Sequence, residues 1–322
     1  MTAGIDPGCV RLRLSIDNGR VADVSVASER PAVAQALRGR PADAAVQLVP
    51  LLFALCGKAQ GRAATLALEA ARGAEYPAHL DPAIQQEALR EHLWRWLLDL
   101  PPLLGDAPMR HEFVAAARWI ADGQREELDA LLAGSRISTL HRRVLEVEDA
   151  GDIEPRLLPA LDARTSLTAW PRLDAGFCRL PQWQGAAAET GAIARQGDRG
   201  RATASAFAAR WLARLEELRD WAADIERVGA GGTASAVQAA PGIGRALVET
   251  ARGLLMHEIV LGGDRIADYL IVAPTEWNFH PQGPLAGWLA GRDATDRDAL
   301  HGFAARAVAA LDPCVRWELE WL

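Results

Sequence analysis

Cysteine is scarce in this chain, with four in 322 residues, and no two of them form a CxxC pair. That spacing excludes the common zinc-site patterns, and so few cysteines do not make a disulfide scaffold. No apolar run approaches the roughly 20 residues that a membrane helix needs, so no membrane partner is predicted. The N-terminus lacks a basic stretch followed by an apolar one, so no secretory signal is predicted. The expected compartment is the cytoplasm, where thiols stay reduced.

Positive charge is also in deficit, because 35 Lys and Arg face 42 Asp and Glu and the net charge is -7. This balance argues against nucleic acid as a partner. No GxSxG nucleophile elbow and no HExxH pattern occurs. The glycine-rich stretch GAGGTASAVQAAPGIGRA, residues 229–246, follows a predicted helix and lacks GxxxxGK[ST], so it is interpreted as a loop or linker. A conventional hydrolase or NAD enzyme therefore has no local support.

Periodicity predicts secondary structure over most of the chain, and a 50% hydrophobic composition is ample for a buried core. Residues 10–17 and 21–27 alternate around an Asn-Gly pair, which predicts a β-hairpin. Helical spacing follows from Pro31 to about Glu148, with a start at Asp81-Pro82. Further predictions are an aperiodic stretch over 149–200, an amphipathic helix over 204–229, a second hairpin near residues 252–273 and a helix over 295–311.

These elements predict an α+β protein that is mainly helical. One hairpin lies near the N-terminus and the other near residues 252–273, so the helical body is expected to carry a hairpin at each end. No internal repeat is present. A single domain over residues 1–322 is predicted.

Five blocks in the same order resemble the large subunit of nickel–iron hydrogenases. The opening hairpin resembles that family's first hairpin, and residues 37–57, LRGRPADAAVQLVPLLFALCG, are similar to its LKGRDPRDAPxxxxRICGxC stretch. Residues 180–195, LPQWQGAAAETGAIAR, are similar to APRYxGxxxEVGPLAR. Residues 249–281 contain ARGLLMHEIVL and APTEWNFHP, similar to APRGxLxHxI and VxPxxWNxxP, and DPCVRW resembles the terminal DPCxxC. The resemblance implies a hydrogenase large-subunit-like body.

The departures from that pattern argue against hydrogenase activity. In the family, two CxxC pairs hold nickel and iron, and here only the first cysteine of each pair remains, as Cys56 and Cys314. The bridging cysteines match Ala59 and Trp317, and the proton-passing glutamate matches Ala34. Two thiolates do not hold a dinuclear soft-metal centre, and alanine cannot carry a proton. The chain is therefore expected to be no enzyme, and to bind neither nickel nor magnesium, whose associated glutamate also has no counterpart.

The retained positions are those that would hold the iron fragment alone. By the resemblance, Arg252 and Thr275 match the arginine and the hydroxyl that contact the iron's cyanides, and Cys56 and Cys314 are its candidate metal ligands. This pattern resembles the hydrogenase-assembly proteins of the HoxV/HupK type. The implied function is a scaffold that transiently accepts Fe(CN)2CO from the HypC–HypD maturation machinery and passes it to the hydrogenase large subunit. Only eight residues follow Cys314, so no proteolytic step after nickel insertion is expected.

Simpler interpretations of the same residues stay open. Cys56, taken alone at the end of an apolar helical run, fits a buried core thiol. A Cys56–Cys314 disulfide is a third alternative, and iron could bind one cysteine or both. Arg252 could be an ion-pair partner of Glu249 or Asp268.

Other hypotheses concern the remaining residues and the whole protein. Cys9 and Cys178 fall outside the motifs and are interpreted as structural or incidental, and Trp317 is interpreted as a filler of the vacated nickel position. Two further functions remain. One is a metal-free, chaperone-like protein that mimics the large subunit, and the other is a reduced hydrogenase.

Overall fold

The computed structural model describes residues 8–31, 33–53, 55–147, 156–161, 170–171, 173–197, 205–226 and 228–322. Part of the aperiodic stretch over 149–200 lies outside these ranges. The described residues form a mixed α+β structure whose strands lie in two sheets, with orders β2-β1-β8 and β3-β4-β5-β6-β7. The strands are β1 Cys9–Asp17, β2 Arg20–Glu29, β3 Tyr76–Leu80, β4 Thr233–Ala240, β5 Ile243–Thr250, β6 Gly253–Gly262, β7 Arg265–Val272 and β8 Arg316–Trp321.

Helices fill the sequence between and around these strands. They are α1 Ala42–Leu52, α2 Gly57–Ala71, α3 Pro82–Trp94, α4 Leu100–Leu103, α5 Arg110–Asp122, α6 Arg125–Ala133, α7 Ser135–Leu145, α8 Ala175–Arg179, α9 Ala192–Gln196, α10 Ala206–Ala222, α11 Pro274–Asn278, α12 Pro284–Leu289 and α13 Arg297–Leu311. The predicted start of α3 is confirmed, because the Asp81 carboxylate accepts from the backbone N–H groups of Ala83 and Ile84. In the part of the chain that the structure describes, no helix has the length and apolarity needed to cross a bilayer.

The N-terminal hairpin is confirmed, and it has a third strand that the sequence analysis missed. Asn18 and Gly19 both adopt positive φ, 49° and 72°, as a tight turn between twisted strands requires. Strand β8 pairs in parallel with the other side of β1, placing Trp317 beside Val10. The six residues of β8 alternate between polar and apolar, but no turn signal next to them indicates a partner strand. Their partner, β1, lies at the other end of the chain. The parallel pairing therefore depends on the tertiary structure and could not be predicted from the local sequence.

The interpretation of residues 229–246 as a loop or linker is wrong, since most of them form β4 and β5. The predicted hairpin near residues 252–273 is confirmed as β6 and β7. Strands β3, β4 and β5 extend it into one five-stranded antiparallel sheet, so it is part of a larger element. The small side chains of β4 and β5 have a packing reason. A Cβ placed on Gly244 would lie 2.0 Å from the carbonyl oxygen of Ala67 in α2. Glycine and alanine therefore let α2 lie directly against the sheet.

The helical body packs around α10. Trp211 of α10 is fully buried, and its carbonyl accepts a 2.9 Å hydrogen bond from the indole N–H of Trp96. Trp96 lies in a wider, π-helical turn over Arg95–Asp99 that joins α3 to α4. Such turns are often found beside functional sites, and this one presents Arg95 towards the C-terminal part of the chain.

Candidate functional site: a cleft with two thiols

Cys56 lies at the junction of two helices. It is the residue that caps the N-terminus of α2, so the expectation that it ends an apolar helix is wrong, since α1 has already ended at Leu52. The first free N–H groups of α2 are occupied by Glu87, whose carboxylate accepts from Lys58 at 2.9 Å and from Ala59 at 3.0 Å. The thiol therefore lies at a fixed bend between two helices. The first free N–H groups of α2 are not available to a ligand of the thiol, because they bind the Glu87 carboxylate.

Cys314 is positioned by a break at the end of α13. Asp312 adopts a left-handed conformation, φ 57°, and Pro313 prevents the helix from continuing. The sulfur of Cys314 then lies 3.2 Å from the hydroxyl oxygen of Thr275, and the Cys314 N–H donates to the same oxygen at 3.4 Å. Thr275, at the start of α11, is only 1% exposed. The structure thus brings two of the predicted site residues into direct contact.

Both thiols line one cleft of about 940 Å³. Its walls are largely apolar and come from Leu52, Phe53, Leu103, Val315 and Trp317, with the charged side chains of Arg30, Arg95 and Asp99 among them. All four cysteines are free thiols, so the alternative of a disulfide is not found in this structure. Trp317 stacks on His301 with ring centroids 5.5 Å apart and forms part of the cleft wall.

Arg252 is buried behind the thiols and is paired with two carboxylates. It hydrogen-bonds Glu91 and lies 3.3 Å from Asp312. The alternative that Arg252 is an ion-pair partner holds, but with these two carboxylates in place of Glu249 or Asp268. Glu249 pairs instead with Arg195, at 3.1 Å.

A network of guanidinium groups fixes the charge of Asp312. Burial alone would raise the pKa of this carboxyl, but Arg252, Arg95 and Arg214 together outweigh burial and hold the pKa well below its usual range. Arg95 lies 2.6 Å from Asp312 and Arg214 lies 3.9 Å from it. The residue just before Pro313-Cys314 is thus anchored by charge.

Burial, and to a lesser extent the nearby Cys314 sulfur, raise the pKa of the Cys56 thiol to about 12 against the opposing charge of Arg252. At neutral pH Cys56 is therefore protonated when nothing is bound to it. A soft metal cation that binds here must displace that proton, because the thiolate is the ligand.

A buried hydrogen-bond chain leads to Cys56 from the sheet. His257 of β6 contacts the Tyr269 hydroxyl at 2.8 Å through Nδ1 and the side-chain amide oxygen of Gln60 at 2.9 Å through Nε2. Burial lowers the pKa of His257 to about 3, so the ring is neutral and carries one N–H. With that proton on Nε2, the ring donates to Gln60, whose amide N–H then points at the Cys56 sulfur, 3.8 Å away. This series of hydrogen bonds therefore orients the Gln60 amide N–H towards the Cys56 thiol.

Asn278 joins the blocks that carry the resemblance. Its side-chain oxygen accepts from the Thr190 N–H at 2.9 Å, and its amide donates to the carbonyls of Arg252 at 3.2 Å and Leu311 at 3.3 Å. One buried side chain therefore ties residues 180–195, 249–281 and the end of α13 together. This is the physical reason that segments far apart in sequence form one site.

Several residues that line the cleft or contact the predicted site residues were not identified from the sequence. Arg30, Gln60 and Glu91 became visible only through their contacts, since none of them lies in a quoted motif position. Conversely, Cys9 is buried in β1, and Cys178 in α8 lines a neighbouring cavity, so neither lines the two-thiol cleft.

The donor set of the cleft is small. Within the described ranges, no group of three or more His, Cys, Asp or Glu side chains is placed to hold a metal ion. Ala34 and Ala59, at the positions of the family's proton-passing glutamate and bridging cysteine, are both buried. The arrangement supplies two soft thiol ligands, a hydroxyl and nearby guanidinium groups.

Over nearly its whole length, the chain is similar to proteins described as hydrogenase expression/formation proteins. It is 34% identical to the hydrogenase expression/formation protein HoxV of Cupriavidus necator, over 96% of this chain and 95% of that protein. The chain belongs to the hydrogenase expression/formation proteins of the HoxV/HupK type. The corresponding HupK of Rhizobium leguminosarum bv. viciae is 30% identical, over 99% and 98% of the two chains. Membership of this family gives the protein a role in hydrogenase maturation. No family model matches the chain.

Solved hydrogenase structures share the fold. The nickel–iron–selenium hydrogenase of Desulfovibrio vulgaris Hildenborough in its reduced state superposes with a TM-score of 0.64 at 16% identity, over 93% of this chain and 94% of that one. The enzyme from Desulfomicrobium baculatum superposes with a TM-score of 0.61 at 14% identity, over 94% and 95%. The predicted hydrogenase large-subunit-like fold is thereby confirmed.

Proposed function

We propose that this protein is a non-enzymatic scaffold that carries an Fe(CN)2CO fragment on Cys56 and Cys314 during hydrogenase maturation. One observation carries the proposal. Two thiols from opposite ends of the chain line the same cleft, with Thr275 in contact with one of them. Thiolates are suitable ligands for this soft, cyanide-bearing iron, and a pair of them forms a smaller donor set than a dinuclear centre needs.

Charge supports an anionic cargo. Iron(II) with two cyanides is neutral, and two thiolates add about two negative charges. Arg252 interacts electrostatically with both sulfurs, and the Thr275 hydroxyl, 3.2 Å from the Cys314 sulfur, is a group able to donate a hydrogen bond. Hydrogen bonds from charged donors to anionic acceptors are the stronger ones, so these two side chains suit cyanide nitrogens.

The size and shape of the cleft support handover. Its 940 Å³ is much larger than an iron with three diatomic ligands requires, and its rim includes Leu51, 80% exposed, and Leu55, 40% exposed. Exposed apolar side chains around a cleft are typical of protein contact sites. In the proposal, a maturation protein of the HypC–HypD machinery delivers the fragment here, and the catalytic large subunit receives it.

Infrared spectroscopy tests the proposal directly. Protein purified under anaerobic, reducing conditions together with the maturation proteins should show cyanide and carbon monoxide stretching bands, with iron bound. Cys56→Ser and Cys314→Ser should each weaken the bands strongly, and the double variant should lose them. Cys178→Ser is the matched control and should leave them unchanged. Wild-type protein without the bands, or a double variant that retains them, would refute the carrier role.

A metal-free, chaperone-like function is the second candidate, favoured by the same exposed apolar rim. It makes a different prediction for the double variant Cys56→Ser/Cys314→Ser. As a chaperone, that variant would support maturation of active hydrogenase as well as the wild type does. As a carrier, it would not. Leu51→Asp, which places a charge on the rim and leaves the thiols intact, would impair maturation in both cases.

A further inference from the structure

Arg30 is the charged residue of the cleft whose surroundings leave it least compensated. It follows β2, and its side chain borders both the two-thiol cleft and the neighbouring cavity that contains Cys178. Its nearest carboxylate is Glu276, at 3.6 Å, which is too long for a hydrogen bond. The Nη1 atom of Arg30 is buried and has no hydrogen-bond partner in this structure. A buried, unsatisfied guanidinium N–H group costs free energy unless a ligand satisfies it.

Its partner Glu276 is already engaged elsewhere. The Glu276 carboxylate accepts from the Ala273 N–H at 3.0 Å and from the Ser28 hydroxyl at 3.4 Å. These contacts hold the carboxylate at the start of α11, one residue after Thr275. Glu276 therefore steadies the position of the Arg30 head group without using its hydrogen-bonding capacity.

Arg252 provides the contrast. It hydrogen-bonds Glu91 and lies 3.3 Å from Asp312, so two carboxylates already compensate its charge. Arg30 interacts electrostatically with both Cys56 and Cys314, as Arg252 does. Each of the two guanidinium groups keeps one buried nitrogen without a hydrogen-bond partner, Nη1 of Arg30 and Nε of Arg252. Of the two, Arg30 is the one that lines the two-thiol cleft and has a single carboxylate nearby.

We propose that Arg30 is the principal anion-binding residue of the two-thiol cleft and donates to the charged ligands of the cargo that the thiols hold. The inference deepens the proposed function and rests on it for the identity of the cargo. The anion site itself rests only on the cleft, the unsatisfied guanidinium and its position relative to the thiols. Arg30 also borders the second cavity, so an anion could reach it from either side.

Thiol alkylation tests the anion site without any cargo. Negatively charged iodoacetate and neutral iodoacetamide both react with the thiolate, so the ratio of their rates cancels the thiolate population and reports the local charge. Mass spectrometry of peptides gives this ratio at Cys56 and Cys314 separately. Arg30→Gln should lower it by about five- to tenfold, the effect expected for one charge in a partly buried site. Arg30→Lys, which keeps the charge, should stay within about twofold of wild type.

Two further variants keep the test decisive. Arg38→Gln is the matched control, since Arg38 borders the neighbouring cavity but not the thiol cleft and is bound to the Ala267 carbonyl at 3.1 Å. It should leave the ratio unchanged. Glu276→Gln removes the carboxylate nearest to Arg30 and should raise the ratio, which serves as the test if Arg30→Gln fails to fold. Ratios equal to wild type in folded Arg30→Gln, or in Glu276→Gln if Arg30→Gln does not fold, would overturn the proposal.

The cargo-bound protein separates the two proposals. If the wild type shows cyanide bands in the infrared, Arg30→Gln should shift or weaken them, and Arg30→Lys should shift them because the planar fork is lost. Unchanged bands together with an unchanged alkylation ratio would remove Arg30 from the site and leave the carrier function standing. Absent wild-type bands with a lowered ratio in Arg30→Gln would refute the carrier function and leave the anion site standing.

Discussion

Acidification from pH 8 to pH 5 should destabilise this protein through one buried histidine, His257. Burial lowers its pKa from 6.5 to about 3 in the folded state, and the ring hydrogen-bonds Tyr269 and Gln60. Among the described residues, no carboxylate hydrogen-bonds or ion-pairs with the ring. Below pH 6.5 the unfolded chain binds a proton at this position that the folded protein rejects. The stabilisation is therefore complete above pH 6.5 and is lost progressively as the pH falls towards 3.

The size of the effect follows from the two pKa values. At pH 5 the unfolded histidine is almost fully protonated and the folded one is neutral, which lowers the free energy of unfolding by about 2 kcal/mol relative to pH 8. Asp312 and Glu217 titrate below this window, because neighbouring guanidinium groups hold their pKa values well below the usual range. The pKa of His92 is also lowered, mainly by its own burial, and adds a decrease of the same sign that remains in every variant below. Burial raises the pKa of Glu91 and of Glu249, and their contribution, of opposite sign, is common to wild type and the variants below.

Urea denaturation followed by tryptophan fluorescence at pH 8 and pH 5 measures the effect. His257→Gln should be less stable than wild type at pH 8, because the chain to Cys56 is interrupted, but its decrease between the two pH values should be smaller by about 2 kcal/mol. His111→Gln, which removes an exposed histidine of α5, should keep the wild-type decrease. Equal decreases in wild type and His257→Gln would show that His257 is not held neutral by burial.

Three substitutions test the packing that positions the cleft, each by chemical denaturation. Gly244→Ala places a Cβ 2.0 Å from the Ala67 carbonyl oxygen, so α2 must move and the loss should be about 1–3 kcal/mol or more. Gly302→Ala, within α13 where a Cβ meets nothing closer than 3.6 Å, should instead stabilise by about 0.5–1 kcal/mol. Arg195→Met leaves Glu217 as a buried carboxylate without its guanidinium partner and should cost about 3–5 kcal/mol. A loss below 1 kcal/mol in Arg195→Met would show that His92 alone compensates Glu217.

Local signals accounted for the elements that were predicted correctly. The first hairpin follows from Asn18-Gly19, the start of α3 from Asp81-Pro82, and α13 from helical spacing that ends before Pro313. Each signal lies within a few residues of the structure that it specifies. Turn, cap and breaker residues act on their own backbone, so sequence alone suffices for them.

Strands β4, β5 and β8 show why the rest could not be predicted. The glycines and alanines of β4 and β5 have weak strand preference. Small residues are required there because α2 packs so closely that a Cβ on Gly244 would lie 2.0 Å from the Ala67 carbonyl oxygen. Strand β8 depends on pairing with β1, more than 300 residues earlier in the chain. In both cases the deciding contact is with a segment that the local pattern does not identify.

The candidate site divides in the same way. Four residues were named through resemblance to a family: Cys56, Cys314, Arg252 and Thr275. The two cysteines line one cleft, Thr275 contacts Cys314, and Arg252 interacts electrostatically with both sulfurs. Their roles as iron ligands and cyanide contacts stay predictions. Arg30 could not be found from a sequence pattern. It was identified because its side chain borders the two-thiol cleft and its buried Nη1 atom has no hydrogen-bond partner. Absence of a partner is a property of three-dimensional packing.

The buried charges explain how a cleft with so few ligands keeps its shape. Asp312 precedes Pro313-Cys314 and is held by guanidinium groups from α10, from the turn after α3 and from the loop before β6. Cys314 is thereby fixed from the α13 side, while β8 fixes it from the other side by pairing with β1. Cys56 is fixed by the start of α2, where Glu87 occupies the free N–H groups. Protein contacts therefore set the positions of both thiols, and the carrier that we propose would accept and release its cargo without refolding.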